Sequence, residues 1–186
     1  MDAFGYLSVL ISIILGLAIA QVLQGYRALL LARGRIHSDP AALVWSGLVL
    51  LFAAQAWWAS FGLNKRGEWD FVDFAVILLQ MGLLYMLSAL VLPDVPAEEH
   101  LDLSRHFERH KKAFFTFLVA MLASSILKEA VLEHRLPSPL NLTFHLVLGA
   151  IAGAGMTFNG KRVQLALAVA AVAGFLSYVA LLFTHL

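Results

Sequence analysis

Chemistry has few carriers in this 186-residue chain: seven histidines, twelve acidic residues and no cysteine. The tightest useful spacing is His106-Phe107-Glu108-Arg109-His110, which on a helix stacks two imidazoles on one face, with Asp102 one turn earlier. That is a metal-ligand spacing. A membrane metalloenzyme brings further His or Asp ligands from other elements, and His37 is the one such residue on that side of the chain apart from the neighbouring His100. A metal on His106, His110 and Asp102 is therefore the lesser reading. A solvated charged helix accounts better for Glu108, Arg109, Lys111 and Lys112 beside them.

Other chemistries lack their parts. Without cysteine there is no thiolate nucleophile, disulfide, iron–sulfur ligation or cysteine zinc site. No Walker loop, dinucleotide fingerprint or HExxH run occurs. Haem needs paired axial histidines within spans, and only His145 is so placed. No cofactor is expected, and an enzyme is the less favoured class. Net charge of +1 argues against nucleic acid as a partner.

The elements that must carry the remaining polar residues are apolar to an unusual degree. Residues 3–26, 40–64, 74–93, 136–160 and 163–186 contain no Asp, Glu, Lys or Arg, and 113–132 is interrupted only by Lys128 and Glu129. A helix needs roughly 20 apolar residues to cross the ~30 Å hydrocarbon layer. With 61% hydrophobic residues and a mean hydropathy of +0.82, the chain reads as an all-α, polytopic bundle of six transmembrane helices. The spans are expected at about 4–26, 41–63, 72–92, 113–133, 142–158 and 163–184, forming one membrane domain over 1–186. Leu101, Leu103 and Phe107, interleaved with charges, suggest a cytoplasmic surface helix over about 97–111. The first span is expected to be retained: Ala18-Ile19-Ala20 has small residues like a cleavage site, but no cation precedes it.

Sidedness follows from the cations. Loops one, three and five hold nine Lys and Arg residues, whereas loops two and four hold Lys65, Arg66 and Arg135. The positive-inside rule then puts both termini outside the cytoplasm, in a bacterial inner membrane. Trp57, Trp58 and Trp69 are expected as interfacial anchors at the outer end, with Trp45 and Tyr26 at the inner one.

Within this frame, polar residues can be matched by depth. Counting from Gly67, Gln55 lies twelve residues before and Gln80 thirteen after, so the two amides are expected to meet between spans two and three. About Pro137, Glu129 and His145 match at eight residues, and Glu133 matches Asn141 at four; Lys128 is near enough to the boundary to snorkel. A half-buried Glu129–His145 pair would titrate near neutral pH and suit a gate; an interfacial polar cap is the plainer reading. Small residues recur at spacing four: Ser12, Gly16 and Ala20 in the first span, Gly149 and Gly153 in the fifth, Ala170 and Gly174 in the sixth. Such stripes let backbones approach closely, and they are expected to be helix-packing faces and to favour a homo-oligomer. Similar loop residues after spans one and four, and after two and five, raise the idea of two inverted three-helix halves.

Function is expected in one of two classes. The first is a small channel or transporter for an ion or solute, pH-sensitive through Glu129 and His145, with Gln55, Gln80, Lys128 and Glu133 along its path. The second is a membrane scaffold or accessory subunit docking a protein partner through 96–112.

Overall fold

Helix starts in the computed structural model are set by acidic and hydroxyl side chains followed by residues that favour a first turn. The structure describes residues 3–32, 36–93 and 101–182. Asp39 accepts the amides of Ala41 and Ala42 at 2.9 and 3.2 Å, with Pro40 in the first turn, and so begins α2 (Pro40–Ser60). Asp70 and Asp73 form a reciprocal capping box at the start of α3 (Phe71–Val91). Asp102 caps α4 (Leu103–Glu133), and Ser138 with Pro139 opens α5 (Pro139–Thr157). The first and last helices are α1 (Ala3–Leu31) and α6 (Lys161–Leu182). A 3-10 turn, Phe61–Lys65, follows α2, and His134 ends α4 in the left-handed region at φ 51°. Two extended pairs, β1 (Ile36–His37) and β2 (Leu101–Asp102), lie parallel and tie together the connections at one end of the molecule.

All six helices are long and apolar enough to cross a membrane, and the fold is all-α, as the hydropathy pattern requires. The chain is a multi-pass membrane protein.

Contacts run in chain order from α2 through α3, α4 and α5 to α6, and α6 returns to α2. Five helices thus close a ring, and α1 lies outside it against α3 and α2. The two halves of the chain do not share this pattern. The α1–α3 contact is among the most extensive, yet its counterpart α4–α6 is not a substantial contact. The likeness between halves rests on loop residues, which do not determine packing.

The fourth helix differs from the sequence expectation. It is 31 residues long, about 46 Å at 1.5 Å per residue, and runs without a break from the cap at Asp102 into the span. The part of the expected surface helix at 97–100 lies outside the described residues. Of the rest, Leu101–Asp102 is β2 and 103–111 opens α4, because Leu103, Phe107, Phe114 and Phe115 form one continuous buried stripe across the supposed boundary.

Trp45 is also not an interfacial anchor. It is fully buried, edge-on to Phe114 and Phe115 with ring centroids at 5.6 and 5.2 Å. Phe107 packs on the same two phenyl rings, making an aromatic plug near the β1–β2 end. Trp57 and Trp58 are exposed at the other end.

Close packing uses different small residues from those expected. Ser12, Gly16 and Ala170 are exposed, Ala20 is only partly buried, and nothing lies within 4 Å of a β-carbon built on Gly16, Gly149, Gly153 or Gly174. The small residues buried on the α5–α6 hairpin are instead Ala152 and Gly155 on α5 and Ala168 and Ala171 on α6. Gly155 meets the plug itself: a β-carbon there would stand 2.4 Å from Phe115 Cζ. Gly25 similarly accepts Leu92, whose Cβ would be 2.7 Å from an added β-carbon. α1 turns its large residues Leu7, Ile11, Leu15 and Val22 inward, leaving its small-residue stripe facing out.

Two buried polar groups lock α4, α5 and α6 at the plug end. Lys111 Nζ donates to Phe158 O at 3.3 Å and to Asn159 Oδ1, and pairs with Glu108 at 2.8 Å. Gln164 Nε2 donates to Gly155 O and Phe158 O at 3.0 and 2.7 Å. At the opposite end Arg66 pairs with Asp73 at 2.7 Å, donates to Leu132 O at the end of α4, and lies over the Trp69 ring.

Candidate functional site

The five-helix ring surrounds a cavity. Its inner part, about 700 Å³ counting open space, draws wall residues from each of α2 to α6. Its outer part, about 1900 Å³ on the same measure, opens at the end carrying Lys65, Arg66, Glu133 and Arg135. The two parts share Gln55, Ala56, Gln80, Ser125 and Tyr178, so they form one vestibule.

Helix direction arranges the wall by depth. Along α4 the order from the mouth inward is Glu133, Glu129, Lys128, Ser125, Leu122 and Met121, spanning about 18 Å at 1.5 Å per residue. Leu84 on α3, Leu148 on α5 and Phe52 on α2 complete an apolar floor, where Phe52 stacks edge-on with Phe175 at 4.8 Å. Beyond that floor lie Trp45, Phe114 and Phe115. The vestibule is blind.

Its waist is polar and unsatisfied. Neither Gln55, Gln80 nor Ser125 makes a hydrogen bond to any described residue, and Gln80 Oε1 is buried without a partner. The contrast with adjacent Ser124 is direct, since that hydroxyl donates back to Met121 O at 2.8 Å. At membrane depth an unpaired amide is costly unless it faces protein, water or a polar guest. Gln55 and Gln80 border the same space, as depth counting expects, but they do not bond to each other.

The expected Glu129–His145 pair does not form a hydrogen bond. Glu129 Oε2 accepts Asn141 Nδ2 at 2.8 Å, one turn away from the residue matched by counting. His145 is buried on the cavity wall, with Nδ1 donating to Asn141 O at 2.9 Å and its ring edge-on to Tyr178. The donor role at Nδ1 leaves Nε2 as the acceptor of the neutral ring. Counting fixes depth to about half a turn, whereas helix phase selects the partner. Glu133 lies at the mouth 3.9 Å from Arg135. Lys128 borders the outer vestibule with no salt bridge or hydrogen bond to a described residue, its neighbouring charge being the already bonded Glu129.

No family model, curated protein or solved structure matches this chain.

The histidine cluster on α4 serves the fold. His110 Nδ1 donates to His106 O at 2.9 Å, and His106 Nε2 lies 3.3 Å from Leu90 O on α3. Asp102 accepts the Arg105 amide at 3.0 Å, which holds its carboxyl below the usual carboxylate range. Among the described residues no group of three or more His, Cys, Asp or Glu is disposed around a common metal position.

Tyr178 and Asn141 gain importance that the sequence hides. Tyr178 stands one turn from the end of α6 and reaches both parts of the vestibule. Its one available signal is a phenol in a stretch, 165–182, otherwise built of Ala, Val, Leu and other small or apolar residues.

Proposed function

We propose that this protein is a carrier for a small solute, taking it up from the end at which the vestibule opens and releasing it at the plugged end. The observation that carries the reading is the belt of unpaired Gln55, Gln80 and Ser125 within a cavity walled by five spans. A bundle that only anchors a partner gains nothing from leaving amides unsatisfied in the bilayer, whereas a solute path needs groups free to exchange partners. Loops one, three and five, which hold most of the cations, lie at the plugged end, so the positive-inside rule turns the mouth away from the cytoplasm.

Passage requires the plug to part. The α5–α6 hairpin is the least buried pair of spans, and Lys111 and Gln164 are the polar groups that hold its turn against the plug end. Movement of that hairpin against α2–α4 would open one end as it closes the other. The docking alternative loses its apolar surface, because Leu103 and Phe107 face inward.

The test is uptake into proteoliposomes of a neutral amino acid, a monosaccharide and octanesulfonate, beside Ser125→Trp, which fills the waist. Uptake of any of these that Ser125→Trp abolishes supports the carrier; no uptake, or uptake indifferent to the substitution, overturns it.

A further inference from the structure

We infer that the vestibule binds a single-chain anionic amphiphile, its apolar end inward and its anionic head near Lys128. The inference rests on the carrier reading for why the cavity is there, and on three further features for what fits it.

The first is the gradient of the wall. Met121, Leu122, Leu84 and Phe175 offer only hydrocarbon and ring surface at the floor, so a fully hydrated solute would lose its water there without return. The second is the waist, where Gln55, Gln80 and Ser125 supply donors and acceptors at the depth where such a guest changes from apolar to polar. The third is charge. The outer wall carries four cationic side chains against two anionic ones, and the two anions have company: Asn141 holds Glu129, and Arg135 lies near Glu133. Of the cations, Arg66 is spent on Asp73 and Leu132 O. Lys128 is the innermost and lacks a hydrogen-bonded counter-ion among the described residues.

Depth agrees with a short guest. Lys128 to Met121 is seven residues, about 10 Å along α4, the reach of a short alkyl chain or a fused ring pair.

The test is equilibrium binding of octanesulfonate, a permanent anion, to the full chain in nanodiscs, with empty nanodiscs subtracted and octyltrimethylammonium as the opposite-charge probe. Saturable octanesulfonate binding that Lys128→Met weakens about tenfold, about 1.4 kcal/mol, that Lys128→Arg restores, and that Leu122→Trp abolishes supports the proposal. Equal or tighter binding of the cation, or octanesulfonate binding unchanged in Lys128→Met, overturns it. Size-exclusion profiles identify variants that fail to fold, and Lys128→Arg then carries the comparison. Phosphatidylcholine nanodiscs with and without single-chain lysophosphatidylglycerol separate the sources. Displacement of the probe by the anionic lipid assigns the site to a lipid, and indifference assigns it to a free amphiphile; both keep the chemistry. Octanesulfonate binding without any flux upholds this inference while sinking the carrier. Flux of the amino acid or sugar without octanesulfonate binding does the reverse.

Discussion

Gly155→Ala should be the most damaging single-methyl addition among the helix glycines at the centre of the bundle. The added β-carbon would stand 2.4, 2.5 and 2.8 Å from three atoms of the Phe115 ring, well inside contact distance. Phe115 cannot withdraw, since Trp45 lies edge-on at 5.2 Å, Phe114 at 5.3 Å and Phe107 at 6.3 Å around it. Overpacking of this kind costs about 1–3 kcal/mol, and the enclosed ring argues for the upper half of that range. Gly153→Ala, two residues earlier, meets nothing within 4 Å and should be neutral, or better by up to about 1 kcal/mol from helix propensity. The assay is thermal unfolding in detergent followed by tryptophan fluorescence, with Phe115→Leu as the second arm of a double-mutant cycle. Phe115→Leu alone should destabilise the protein, yet the double variant should recover much of the Gly155→Ala loss. A Gly155→Ala protein as stable as the parent, or a Gly153→Ala protein that is worse, would refute the helix phases on which the plug rests.

Other consequences are simpler. Asp73→Asn should cost about 2 kcal/mol, between exposed and buried ion pairs, because Asp73 is buried while Arg66 is partly open to solvent; Arg66→Met should cost a similar amount, and the double variant less than their sum in the same unfolding assay. Lys111→Met removes the tie from α4 to Phe158 and Asn159, and should raise labelling of a cysteine at position 125 from the plugged side, measured with a membrane-impermeant thiol reagent. Glu129→Leu should destabilise by about 1–2 kcal/mol by stranding the Asn141 amide, whereas Glu129→Gln, which still accepts from Nδ2, should be near neutral.

Hydropathy made the six helices legible because it sums over about 20 residues and needs no knowledge of which way a side chain points. The start signals were legible for a similar reason: Asp39-Pro40 and Ser138-Pro139 act within one turn. Azimuth was not. In a bilayer the outward face of a helix is as apolar as the inward one, so α1 offers no contrast between Leu7-Ile11-Leu15, which are buried, and Val9, Ile13 and Leu17, which are exposed. The glycine stripes therefore pointed to faces that do not pack within the chain, and Gly155 was lost among its neighbours. Trp45 misled because an indole is at home at an interface and in a core alike. Depth counting did better. It put Gln55 and Gln80 beside one cavity and Glu129, Lys128 and His145 near the same vestibule, but neither expected pair bonds, and Asn141 meets Glu129 rather than Glu133.

The vestibule itself is the central claim, and the absence of cysteine makes it directly measurable. Ser125→Cys puts one thiol at the waist with little change in volume, and Ser124→Cys puts its neighbour in the packed interior as a control. In right-side-out vesicles a charged, membrane-impermeant methanethiosulfonate should label position 125 from the non-cytoplasmic face and leave position 124 untouched. A thiol at 125 that resists the reagent there, or reacts only from the cytoplasmic face, would contradict an open, hydrated cavity on that side.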